Sequence, residues 1–97
     1  MEAPSLMDYQ FVFEKTVEAD KNMLDYAKMA ILLAFNEYPN DDYKKCELIS
    51  IKFEEKYGNS WGCTLIKKGE GDSCYPYINN YIKLKFNNYL IKIMRTR

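Results

Sequence analysis

Three cysteines (Cys46, Cys63 and Cys74) and the lack of any histidine decide most of the chemistry open to this chain of 97 residues. Without histidine there is no Ser-His-Asp or Cys-His nucleophile, no His-ligated zinc and no imidazole switch near neutral pH. The cysteines are odd in number and show no Cys-x-x-Cys spacing. Free thiols in a reducing compartment are therefore expected, not a disulfide framework or a Cys₄ zinc site. Cys46 and Cys63 are read as packing residues and Cys74 as nearer an edge; nothing adjacent in sequence argues for a redox role. Four glycines leave no room for a Gly-rich phosphate loop. The carboxylate pairs Asp41-Asp42 and Glu54-Glu55 are neighbours in sequence. Adjacent residues on a helix do not face each other, so capping and solvation are expected of them, not paired acid–base work. The chain is expected to be no enzyme, to carry no cofactor and no metal, and to bind no small molecule.

Basic residues are the other candidates. Acidic and basic residues number 14 each, for zero net charge. Residues 1–59 carry 7 Lys against 12 Asp/Glu, and residues 60–97 carry 7 Lys/Arg against 2, a split of −5 and +5. Lys83, Lys85, Lys92, Arg95 and Arg97 alternate with Tyr81 and Tyr89. Such a mixture can bind nucleic acid, but on strands it more readily makes a solvated or partner-facing sheet, and nucleic acid is not expected. The longest apolar run, Met29–Phe35, is far short of the roughly 20 residues that span a bilayer. No signal-peptide pattern opens the sequence. An intracellular protein without a membrane segment is expected.

These residues must be held by a small set of elements. The length fits one domain: a lead-in over residues 1–8, then a single unit over 9–97. Tyr9 to Lys15 alternates aromatic and polar residues, which predicts a short strand. Asp20 is a natural N-cap, and Met23, Ala27, Ala30, Ile31 and Ala34 follow at helical spacing until Pro39 forbids continuation. Asn40 or Asp41 caps a second helix, with Cys46, Ile49, Phe53 and Tyr57 on one face, Lys44, Lys45 and Lys52 solvated, and Gly58 just past the end. From Ser60 the period changes to two. Trp61, Cys63 and Leu65 share one face. Asp72–Tyr75 is expected to form a short strand. Ile82, Leu84 and Phe86 oppose Tyr81, Lys83 and Lys85, Asn87-Asn88 makes a hairpin, and Tyr89–Arg95 returns. The expected class is α+β: two helices on an antiparallel five-stranded sheet, in the order strand, helix, helix, four strands.

Phe53-Glu54-Glu55-Lys56-Tyr57-Gly58-Asn59-Ser60-Trp61-Gly62-Cys63 resembles the signature F-D-x-K-Y-x-P-x-W-H-C-I-V-G of the eight-kilodalton dynein light chain family. The phenylalanine, lysine, tyrosine, tryptophan and cysteine fall in register. The first helix and the last two strands line up as well. The resemblance implies a dimer in which the short strand Asp72–Tyr75 is exchanged between subunits. It also implies a groove where an extended partner segment adds as a strand. The groove positions are then Trp61, Cys63, Gly71, Asp72, Ser73, Cys74, Tyr75, Tyr81, Lys83, Lys85 and Lys92. Asp41, Asp42 and Tyr43, at the start of the second helix, would anchor the partner segment.

The departures gather at that groove. Gly62 stands where the family has a histidine that makes dimerisation acid-sensitive. Pro76 shortens the pairing edge. Lys83, Lys85 and Lys92 disfavour an apolar segment and favour an acidic one, or a related light chain. The implied function is a non-catalytic scaffold subunit of a dynein motor, a homodimer or a heterodimer with a related light chain. It would hold a dynein intermediate or heavy chain on the microtubule cytoskeleton, in cytoplasm or cilium and axoneme. The alternatives are a scaffold of the same fold in a non-dynein cytoskeletal assembly and, more remotely, a nucleic-acid-binding domain.

Overall fold

A computed structural model describes residues 10–58, 60–67 and 79–96. Strand β1 spans Phe11–Val17, helix α1 Lys21–Glu37, helix α2 Asp42–Tyr57, and strands β2, β3 and β4 span Trp61–Lys67, Tyr81–Phe86 and Tyr89–Arg95. The expected lead-in, residues 1–8, and the expected strand Asp72–Tyr75 lie outside the described residues. Among the described residues the sheet has four strands, in the order β1-β3-β4-β2. All its pairs are antiparallel.

Local chemistry sets the element ends. Asp20 caps α1, its Oδ1 accepting from the Met23 N–H at 2.9 Å. The helix stops at Tyr38, whose N–H reaches the Ala34 carbonyl at 3.0 Å, because Pro39 follows. Asp41, not Asn40, caps α2, accepting from the Lys44 N–H at 3.1 Å. Gly58 ends that helix at φ 70°, a conformation that costs glycine little. Asn87 takes φ 55° in the β3–β4 hairpin, where asparagine is the usual non-glycine occupant. Strand β1 starts and ends two residues later than its alternation predicts, and its register against β3 shifts between Phe13 and Lys15.

The core lies between the helices and one sheet face. Met23, Ala27, Ala30, Ile31 and Ala34 of α1 and Ile49 and Phe53 of α2 pack on Ile82, Leu84, Phe86, Ile91, Ile93 and Trp61. Alanines at three α1 positions bring that helix close to its neighbours, and Phe86 fills the sheet end, stacked on Phe11 at 4.7 Å and edge-on to Phe35 at 5.1 Å. On the opposite sheet face Ile66, Tyr81, Lys92 and Met94 are also buried.

Two lysines overturn the expectation of solvated cations. Lys45 is 2% exposed and Lys92 is 2% exposed. Lys45 lies four residues before Ile49 and eight before Phe53, which puts it on the buried stripe of α2 and not beside it. Its stem packs inward while its ammonium reaches polar partners at the helix start.

Candidate functional site: the open edge of β2 and the flank of α2

Among the described residues β2 pairs only with β4, so its other edge carries no strand. Unpaired edge amides and carbonyls are a template for another chain. Helix α2 runs alongside. Between them lies a groove of about 460 Å³ whose wall includes Asp42, Tyr43, Cys46, Glu47, Ser50, Cys63, Thr64 and Leu65.

Cys46 and Cys63 both line the groove. The neighbouring Cys63 holds the Cys46 thiol below its ordinary value against the opposing effect of burial. Its neighbour Cys46, together with burial, pushes the Cys63 thiol well above it. Both residues are half-buried free cysteines. The sequence gives no spacing signal for this juxtaposition; only the packing of α2 on β2 creates it.

Asp42 closes the groove at one end. Its carboxylate accepts from Lys45 Nζ at 2.8 Å and from the Tyr89 hydroxyl at 3.0 Å, and Lys67 Nζ lies 3.5 Å away. The Lys45 hydrogen bond, ahead of the others, holds the Asp42 carboxyl below its usual range. Lys45 is further held by the Pro39 carbonyl at 3.1 Å and by the Phe35 and Tyr89 ring faces at 4.8 and 5.5 Å.

The expected site residues thus separate. Cys63, Asp42 and Tyr43 do line the β2–α2 groove, and Tyr43 is 76% exposed there. Asp41 is spent on the cap. Trp61 belongs to the core, its Nε1 donating to the Gly58 carbonyl at 2.9 Å and its ring 4.9 Å from Phe53. Tyr81 and Lys92 are buried on the far sheet face. Lys83 and Lys85 reach Glu14 at 3.9 and 3.2 Å, so the three lysines do not form the exposed row expected of them. Gly71, Asp72, Ser73, Cys74 and Tyr75 lie outside the described residues, as does Pro76. Sequence reasoning missed Cys46, Glu47 and Ser50 as groove residues. Their i, i+1 and i+4 spacing on α2 was the available signal, since it places them beside the Ile49–Phe53 stripe. Among the described residues no cluster of three or more Cys, Asp or Glu side chains is arranged to hold a metal.

No family model and no curated protein sequence matches the chain. Solved structures do match in shape. The dynein light chain-like domain of the Fasciola hepatica calcium binding protein FhCaBP2 superposes at a TM-score of 0.75, with 12% identity, over 99% of this chain and 100% of that domain. The dynein light chain-like domain of CsTAL3 superposes at 0.69, with 10% identity, over 89% of this chain and 92% of that one. The fold is therefore dynein light chain-like, an α+β unit with two helices and an antiparallel sheet.

Proposed function

We propose that this chain is a non-catalytic scaffold subunit of the dynein light chain type, and that the open β2 edge beside α2 is where another polypeptide strand adds. The observation that carries the reading is that edge, flanked by a groove and set in a dynein light chain-like fold. Backbone hydrogen bonds along β2 would supply affinity, and Tyr43, Glu47 and Ser50 on α2 would select side chains of the added strand. A dimer, by self-association or with a related light chain, doubles the number of sites and so joins two partner chains. The assembly it serves is proposed to be a dynein motor, through an intermediate or heavy chain on the microtubule cytoskeleton, cytoplasmic or axonemal.

The placement of the lysines favours a protein partner over nucleic acid. Lys83 and Lys85 sit beside Glu14 and Lys92 is buried, so these three lysines do not make the cluster of accessible cations that phosphate binding uses. The acid-sensitive interface implied by the family histidine has no counterpart at Gly62.

Two measurements test the proposal. Light scattering after size exclusion gives a dimer mass if the chain self-associates; a monomer at every concentration removes the homodimer and leaves the pairing with a related light chain. Capture from the native cell, read by mass spectrometry, yields a dynein intermediate or heavy chain. A different stable partner in their place removes the dynein assignment and leaves the scaffold.

A further inference from the structure

The register of β2 on β4 fixes which backbone groups the open edge offers. The Thr96 N–H donates to the Ser60 carbonyl at 2.9 Å, and this pair continues the register that sets Trp61 opposite Arg95. On the other side of β4 the Arg95 N–H donates to the Asn80 carbonyl at 3.0 Å. Hydrogen-bonding direction alternates along an antiparallel strand. Gly62, Thr64 and Ile66 therefore turn their N–H and C=O groups to β4, and Cys63 and Leu65 turn theirs to the open edge. The Cys63 and Leu65 side chains pack against the core, on the helix side of the sheet. Residues of an added antiparallel strand that sit opposite Cys63 and Leu65 share that side. Alternate side chains of the added strand thus point at the flank of α2.

What they meet there is acidic. Among the described residues the groove wall carries the carboxylates of Asp42 and Glu47 and no lysine or arginine. Asp42 is already engaged by Lys45, Tyr89 and Lys67. Glu47 is exposed, and among the described residues no cation pairs with it. Tyr43 stands one helical turn before Glu47 on the same wall. A free carboxylate beside an exposed aromatic ring suits an ammonium or guanidinium group. The lysines for which the sequence predicts an acidic segment are elsewhere. Lys83 and Lys85 sit beside Glu14, β4 separates their strand from β2, and Lys92 is buried on the far sheet face.

We propose, resting on the reading of the β2 edge as a docking site, that the strand which adds there is basic: an extended segment of another polypeptide with Lys or Arg facing α2, its cation set between Glu47 and Tyr43. The long stem of either residue covers the half-buried groove floor at Cys46 and Leu65 while its charged head stays at the rim. The chain's own Asp72–Tyr75 brings a carboxylate and no cation, so that segment of a second copy does not supply the occupant.

The test titrates the full chain with three short capped peptides in which threonine alternates with lysine, with glutamine or with glutamate, read by fluorescence anisotropy at low ionic strength. The lysine peptide should bind about tenfold more tightly than the glutamate peptide, with glutamine between them, and the difference should shrink in high salt. Glu47→Gln should weaken the lysine peptide about threefold, the scale of an exposed ion pair. Glu47→Lys should reverse the order of the peptides, while Glu54→Lys, the same charge change at an exposed position outside the groove, should leave the order as it is. Amide exchange, followed by NMR with the lysine peptide bound, should slow at Cys63 and Leu65.

Protection of those two amides by all three peptides, with an order that Glu47→Lys leaves unchanged, overturns the basic occupant and keeps the docking edge. Tighter binding of the glutamate peptide to the unmodified chain does the same. Binding that leaves the Cys63 and Leu65 amides unprotected, an equal response to Glu47→Lys and Glu54→Lys, or no binding by any peptide overturns the proposal. The first and last of these three outcomes remove the docking edge with it.

Discussion

Lys45 places its ammonium 2.8 Å from the Asp42 carboxylate while only 2% of its surface meets solvent. Three elements meet at this pair. Asp42 begins α2, Tyr89 begins β4 and donates to Asp42 at 3.0 Å, and Lys67 ends β2 at 3.5 Å from it. The pair therefore pins the helix start to the sheet corner at the mouth of the β2 groove.

Removing the acid should cost more than removing both charges. Asp42→Asn leaves a buried ammonium with the Pro39 carbonyl and two ring faces, and breaking a buried pair in this way costs several kcal/mol. Asp42 is about one-third exposed, which reduces the expected loss to about 2 kcal/mol. Lys45→Met on the Asp42→Asn background should recover most of it, since an apolar side chain suits the site. Urea unfolding of the three proteins checks this; an Asp42→Asn midpoint equal to wild type would show that the pair carries no net stability.

The same pair gives a pH dependence of defined sign. The Lys45 hydrogen bond lowers the Asp42 carboxyl in the folded state, so the unfolded chain takes up its proton first. The stability from Asp42 is fully present above the unfolded carboxylate value, about 3.9. It declines below that and is gone once the pH has passed below the folded value. Stability measured from pH 7 to pH 2 should fall more steeply in wild type than in Asp42→Asn over the acid end of the range. Parallel curves would contradict the assignment.

How much of this was legible in the sequence follows from which residues act locally. The caps Asp20 and Asp41, the stop at Gly58 and the hairpin at Asn87 depend on one residue's own backbone preferences, and periodicity reveals the faces of α1 and β4. Lys45 was misread because a charged residue on an apolar stripe looks solvated until Asp42 and Tyr89 are seen around it. Lys92 obeys the strand alternation and is buried all the same, beside buried Tyr81 and Met94 on the far sheet face, which alternation cannot report. The meeting of Cys46 and Cys63 on one groove joins two elements of different period, so no spacing rule within either element could show it. The motif from Phe53 to Cys63 was informative about fold because Phe53, Tyr57 and Trp61 pack together; for the same reason Trp61 is unavailable as a groove surface.

Gly62 offers a test of the far sheet face. Among the described residues, a Cβ built there meets the Thr96 methyl at 3.4 Å and Met94 Cγ at 3.9 Å. Glycine inside a strand costs roughly 0.5–1 kcal/mol relative to alanine. Gly62→Ala should therefore raise stability by about that amount, read as a higher urea midpoint at unchanged slope. A lower midpoint would mean that the glycine is needed for a close approach at this position.

Asn87 separates backbone preference from side-chain chemistry. At φ 55° a β-branched residue meets the left-handed penalty of about 1–2 kcal/mol, which glycine avoids. Asn87→Val should lower the unfolding free energy by about 1 kcal/mol or more, and Asn87→Gly should leave it nearly unchanged. Equal losses in both variants would locate the effect in the asparagine amide and not in the turn.

The groove itself is best tested from α2, because substitutions in β2 would disturb the sheet. Tyr43 is 76% exposed and lies on the groove wall with Glu47, so neither holds the core together. Exposed substitutions of this kind usually change stability by no more than about 0.5 kcal/mol. If the added strand packs against this wall, Tyr43→Ala should weaken association by about 1–2 kcal/mol, the scale of a truncated interface aromatic, or roughly tenfold in Kd. Glu47→Lys should change the salt dependence of association as well, since reversing a rim charge acts mainly through electrostatic steering. Sedimentation equilibrium of the purified chain, and titration with a recovered partner, measure both. Association unchanged in Tyr43→Ala and Glu47→Lys alike would place the binding surface elsewhere on the fold.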